Sequence, residues 1–238
     1  LIDIPDLFVW YDAMDPSSIT YDTSATFQIS QINDKSGNSN NCVQATSGYQ
    51  PTYKNNKINF NGGNYLTSSA SINLNSYTMF VVCQQTSDYT TATEGIIVGQ
   101  TSGNDYQTQD AFAFTGCNNS SYNYIYVSGL TGTFDGSNFV GDFTGNGAQL
   151  PLAVYEIQID NNLGAIYKNG QVVEDNIPFS TKTTSSGFAL GCRCFGGNLL
   201  SSLHGSISEL VIFNRAITTS EKIEVANYLL RKWQISGN

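Results

Sequence analysis

The sequence predicts an all-β fold: a two-sheet antiparallel jelly-roll sandwich closed by one C-terminal amphipathic helix. Three observations predict it. Apolar and polar residues alternate with period 2 through most of the chain, clusters of turn-forming residues separate the alternating stretches, and helical periodicity is confined to the last twenty or so residues. Many strands joined by abundant turns argue for a sandwich or barrel rather than for βαβ units.

Taken in order, the predicted strands are Leu7 to Tyr11, Ile58 to Phe60, Met79 to Gln84, Gly95 to Val98, Ala111 to Thr115, Tyr122 to Val127, Ala153 to Asp160, Ala165 to Lys168, Gly187 to Cys194 and Ser206 to Phe213. Residues that tolerate positive φ lie between them: Ser36-Gly37-Asn38, Asn61-Gly62-Gly63-Asn64, Asp160 to Gly164 and Asn169-Gly170. Ala153 to Val173 forms the clearest hairpin. Tyr155, Ile157 and Ile159 alternate there with Val154, Glu156, Gln158 and Asp160, and Asn169-Gly170 supplies a two-residue turn. The closing helix begins at Thr218-Thr219-Ser220-Glu221, which has capping-box spacing. Ile223, Ala226, Leu229, Leu230 and Trp233 follow at helical intervals, and Arg231 and Lys232 suit the helix C-terminus.

Length and charge narrow the function. The 238 residues read as one domain spanning 1–238, since sandwiches of this size fold around a single core. Ten Lys and Arg against nineteen Asp and Glu give a net charge of -9, which repels phosphate backbones and anionic lipid. Nucleic acid and membrane insertion are therefore not expected as partners, and no apolar run approaches the ~20 residues that span a bilayer. The chain starts without Met and without a signal-peptide pattern, so it reads as a processed protein or as a module of a longer one. Its five cysteines read as buried thiols, and with His204 as the single histidine a zinc site is not expected.

Four segments carry a resemblance to a known family. Leu7-Phe8-Val9-Trp10-Tyr11-Asp12-Ala13 with Asp15-Pro16-Ser17-Ser18-Ile19 opens the chain, and Asn33-Asp34-Lys35-Ser36-Gly37-Asn38 follows. Pro51-Thr52-Tyr53 precedes Ile58-Asn59-Phe60-Asn61-Gly62 and Tyr65-Leu66; Gly205 through Ile217, with Glu221 and Tyr228-Leu229, closes the chain. In their order and spacing these segments resemble the laminin G-like jelly-roll modules of the concanavalin A-like lectin/glucanase superfamily. The resemblance implies a binding or adhesion domain of a bacterial surface, phage tail or virion protein, and a structural role for Asp34 in anchoring its own loop.

The candidate chemistry is sparse. Glu156, Gln158 and Asp160 share one strand face, as the catalytic carboxylates of concave-sheet glucanases do, but the middle residue is an amide. Residues four apart on a strand also stand about 13 Å apart at Cα, against the roughly 5–9.5 Å of a glycosidase carboxyl pair. That face reads as solvated. His204 lies near no nucleophile elbow, and the flanking motifs of polysaccharide lyases are missing around Arg193 and His204. Asp135, Asn138, Asp142 and Asn146 share a Gly-rich loop; turn formation accounts for them, and any metal held there by Asp135, Asn138 and Asp142 is calcium.

Sugar binding wants aromatic faces beside amides and carboxylates in a shallow site. Tyr106, Gln107, Asp110, Tyr122, Asn123, Tyr124 and Tyr126 supply that set, with Tyr122, Tyr124 and Tyr126 on one strand face. A cross-strand aromatic ladder is the competing account of the three tyrosines. The expected function is a non-catalytic carbohydrate-binding or adhesion module, not an enzyme, displayed extracellularly on a cell surface or virion and meeting glycans or other subunits of a surface assembly. A decoration domain without sugar binding and a diverged polysaccharide-degrading enzyme are the alternatives.

Overall fold

The computed structural model describes residues 3–22, 27–86, 94–101, 113–119, 122–128, 139–140, 150–161, 163–178, 187–195, 198–201 and 203–236. In chain order the strands are β1 (Leu7–Asp12), β2 (Ile19–Tyr21), β3 (Ile29–Ile32), β4 (Cys42–Val43), β5 (Thr52–Lys54), β6 (Lys57–Asn61), β7 (Leu66–Ser68), β8 (Ser76–Gln85), β9 (Glu94–Gln100) and β10 (Ala113–Asn119). They continue as β11 (Tyr122–Ser128), β12 (Phe139–Val140), β13 (Leu150–Asp160), β14 (Leu163–Lys168), β15 (Gln171–Pro178), β16 (Phe188–Leu190), β17 (Cys192–Phe195), β18 (Asn198–Ser201) and β19 (His204–Phe213), with α1 over Thr219–Lys232.

Two antiparallel sheets build the sandwich. One runs β15-β14-β13-β8-β19-β6-β5, with β1 also paired to β19; the other runs β12-β11-β10-β9-β16-β7-β4-β3-β2. β19 takes β6 along its first half and β1 along its second, so the first and last strands of the chain lie side by side. The expected all-β sandwich with one closing helix is therefore what the chain adopts. No helix of the described residues is long and apolar enough to cross a membrane.

Alternation sorts the side chains into two cores. Met79, Val81 and Cys83 of β8, Tyr155 and Ile157 of β13, and Leu210 and Ile212 of β19 point between the sheets, where they meet Ile32, Leu66, Val98 and Phe188. Phe80, Val82, Val154, Val211 and Phe213 point outward from the same strands and are covered by Val225, Ala226, Leu229 and Trp233 around α1. The middle of this sheet is buried on both faces, which is why β8 reads as a continuous apolar run from Met79 to Cys83. A bulge between Ile207 and Glu209 lets Ile207 and Leu210, three residues apart, face the same core.

Local chemistry fixes the connections. Asn169 (φ 52°) and Gly170 (φ 77°) form the expected tight turn, and Asn55 and Asn56 (φ 56° and 57°) form a second one between β5 and β6. Thr218 caps α1: its hydroxyl accepts from the Glu221 amide at 3.4 Å, while Glu221 Oε2 accepts from the Thr218 amide at 2.7 Å. Asp34 anchors its loop as the resemblance implies. Its Oδ1 accepts from the amides of Trp10 and Ser36, both at 2.9 Å, and its Oδ2 from the Asn40 amide at 2.9 Å.

Two expectations need correction. The strand expected over Gly187 to Cys194 breaks at Gly191 (φ 82°), where a Cβ would strike the Phe60 ring; the chain leaves the sheet there, and β17 pairs with β18 instead. The face of Glu156, Gln158 and Asp160 is not solvated. Only Asp160 is exposed; Glu156 is 2 % exposed beneath α1, and Gln158 donates to the Ile217 carbonyl at 2.7 Å. Cys42, Cys83 and Cys192 are buried, as the sequence predicts.

Candidate functional site

The residues expected to contact sugar divide into two groups. Tyr106, Gln107 and Asp110 lie outside the described residues, as do Asp135, Asn138, Asp142 and Asn146 of the expected calcium loop. Tyr122, Asn123, Tyr124 and Tyr126 lie on β11, in register with Asn119, Asn118, Cys117 and Thr115 of β10. The three tyrosines are alternate residues of a strand next to the sheet edge, and Tyr126 is in register with Phe139 of β12.

A second aromatic pair stands apart from them. Tyr49 is 50 % exposed, and its ring lies 5.5 Å from that of Tyr65 at an interplanar angle of 32°. The backbone holds the pair: the Tyr65 amide donates to the Tyr49 carbonyl at 3.0 Å, and Asn64 bridges the two segments. Asn64 Oδ1 accepts from the Asn61 amide at 3.1 Å, while its Nδ2 donates to the Gln50 carbonyl at 2.9 Å. The signal in the sequence was the Asn61 to Asn64 turn with a tyrosine at its exit, but Tyr49 comes from a distant turn and only the fold pairs them.

The most unusual chemistry lies under the helix. Glu156 faces outward from β13 opposite Tyr167 of β14, and Lys222 reaches down from the first turns of α1. Lys222 Nζ donates to the Tyr167 hydroxyl at 2.6 Å, sits 4.0 Å from that ring's centroid, and stands 3.8 Å from Glu156 Oε1. That gap is too long for a hydrogen bond, and Glu156 Oε1 has no hydrogen-bond partner among the described residues. Burial pushes the Glu156 carboxyl up to about 7, against the opposing pull of the Lys222 charge. A cavity of about 390 Å³ opens beside these groups, walled also by Gln171, Asn227 and Leu230.

Another buried acid on this outer sheet face is fully engaged. Glu209 Oε1 accepts from Trp10 Nε1 at 2.8 Å and from the Tyr228 hydroxyl at 3.2 Å. Its Oε2 accepts from Trp233 Nε1 at 2.6 Å and faces Lys232 Nζ at 2.8 Å. Lys232 also meets Asp12 at 2.7 Å, and Lys35 meets Asp12 at 2.9 Å and Asp15 at 2.8 Å. This network ties β1, β19, α1 and the Asp34 loop together. It is a brace, with no carboxylate oxygen of Glu209 left to offer a ligand.

No protein-family model matches the chain, and no curated protein sequence does. Solved structures match by fold. Over 94 % of this chain and 33 % of the other, it is similar to a sialidase of Trypanosoma rangeli (TM-score 0.57, 11 % identity). Over 84 % of this chain and 50 % of the other, it is similar to a GH54 α-L-arabinofuranosidase (TM-score 0.61, 13 % identity). The chain thus spans about a third and a half of these two proteins. It also matches domain 4 of an extracellular GH43 arabinanase from Geobacillus stearothermophilus, solved with arabinotriose, over 93 % of this chain and 98 % of that domain (TM-score 0.55, 16 % identity). These likenesses establish the fold. They also overturn the expectation that the chain is not an enzyme, because these three proteins are glycoside hydrolases or a part of one.

Proposed function

We propose that the chain is the carbohydrate-recognising domain of a glycan-processing protein, laminin G-like in architecture and working outside the cell or on a surface. The observation that carries the reading is the Tyr49–Tyr65 pair, a half-exposed aromatic face fixed by Asn64 and its backbone partners. Aromatic faces of this kind stack on the C–H patches of sugar rings, and pre-fixed rings lose little entropy on binding. Support comes also from the match to nearly the whole of an arabinanase domain whose structure holds arabinotriose. Tyr122, Tyr124 and Tyr126, alternate residues of β11, are candidates for a second contact to sugar, and calcium is the metal we assign to Asp135, Asn138 and Asp142.

The test is calorimetric titration of arabinotriose and a panel of neutral and sialylated oligosaccharides, with calcium and with a chelator. Binding should weaken roughly five- to tenfold in Tyr49→Ala, the loss of about 1 kcal/mol of ring contact. Absence of binding to every glycan in both conditions would sink the reading. Release of reducing sugar from the same panel decides whether the domain also cuts what it binds.

A further inference from the structure

We propose that the cavity between α1 and the β14–β15 hairpin is a second binding pocket, one that takes a single neutral, polyhydroxylated ring. The choice of a sugar among small polyols rests on the function proposed above; the rest of the argument is the pocket's own chemistry.

A buried acceptor without a donor is costly, and native structures retain few of them without a reason. Glu156 Oε1 is such an atom, on a side chain 2 % exposed that lines the cavity. A ligand hydroxyl in the cavity supplies the missing donor. Lys222 holds a fixed place beside it through Tyr167, so the pair presents an acceptor and a cation to one ligand. The lining holds one acid and one base, so it offers neither an anion nor a cation a surplus of opposite charge, which favours an uncharged ligand. Gln171 and Asn227 add amides that both donate and accept, while Leu230 offers an apolar wall for ring C–H groups. A volume of about 390 Å³ sits at the lower end of the roughly 300–1,000 Å³ of small-ligand sites, so it suits one ring and not a chain of several. Among the lining residues Glu156 is the only carboxyl group, so the two-carboxyl arrangement of glycoside hydrolysis is not assembled from this lining. The pocket binds.

The experiment titrates L-arabinose, D-galactose and D-glucose, each alone, into the full chain by calorimetry and by saturation-transfer NMR. At least one should bind the unaltered protein. Glu156→Leu, which removes the acceptor, should weaken that binding roughly tenfold or more. Asn227→Trp, placed at an exposed position on the rim, should block the cavity without disturbing the core, and so covers the case in which Glu156→Leu does not fold. Glu224→Gln, an exposed acid on the same helix, should leave it unchanged. If arabinotriose binds but no single sugar does, or if single sugars bind Asn227→Trp as tightly as the unaltered protein, the pocket assignment is overturned while the broader function stands. If no mono- or oligosaccharide binds at all, both fall.

Discussion

Replacing Glu156 by Gln should make the protein more stable at pH 8 and leave it nearly unchanged at pH 4. Burial raises this carboxyl from its ordinary value of 4.5 to about 7, so the folded chain holds the proton over a range in which the unfolded chain has released it. The sign follows from that difference. The contribution of Glu156 to stability is fully present below pH 4.5, falls as pH rises, and is lost once pH has passed about 7. At about 1.4 kcal/mol per pH unit the interval is worth about 3 kcal/mol, with the attraction of Lys222 already counted in it. Gln keeps the shape and carries no charge at any pH, so it escapes the cost. Urea denaturation of both proteins at pH 4, 6 and 8 measures the difference, and groups titrating identically in the two cancel. A difference that stays flat with pH, or a variant less stable at pH 8, would refute the reasoning, since it would mean that Lys222 fully offsets the burial of the carboxylate.

Other perturbations probe the frame around the site. Asp34→Ala strands the amides of Trp10, Ser36 and Asn40 at once and should cost about 3 kcal/mol, read as a lower urea midpoint with an unchanged slope. Lys232→Met removes the cation shared by Glu209 and Asp12 and should cost about 3–5 kcal/mol in the same assay, because a buried acid is left without its counter-charge. Thr218→Ala deletes half of the capping box and should cost about 1 kcal/mol, with the first turn of α1 exchanging its amides faster. Gly205→Ala should prevent folding at ordinary temperature, since a Cβ there overlaps the Gln84 carbonyl of the neighbouring strand, a backbone atom that cannot yield.

The layering of the fold was legible because it rests on local signals. Alternation marked β8, β13 and β19, Asn169-Gly170 announced its turn, and Thr218 to Glu221 announced the helix start. Short strands such as β4, at Cys42–Val43, were not, because two residues carry no period and their pairing is fixed by distant neighbours. Gly191 hid a strand break for a related reason: its role depends on the Phe60 ring packed against it. The site was harder still. Glu156, Gln158 and Asp160 have the pattern of a wet strand face, and nothing near them in the chain tells that a helix starting at Thr219 covers the first of them. Tyr49 and Tyr65 sit in unrelated turns until the fold stacks them.

The pairing of β1 with β19 sets how the domain answers a pull on its two ends. Leu7 is matched with Phe213 and Asp12 with Glu209, so the chain enters and leaves the pair at the same end. Tension between the termini would first lift α1 from the outer sheet face and then peel β1 away one rung at a time, beginning at Leu7. Strands loaded in this way part sequentially, and no set of rungs shares the force as it would in shear. Tethered between two anchors, this sandwich would lose its first strand at low load, and Asp12 at the far end of that pair, still held by Lys35 after α1 has taken Lys232 away, would be the last point to resist.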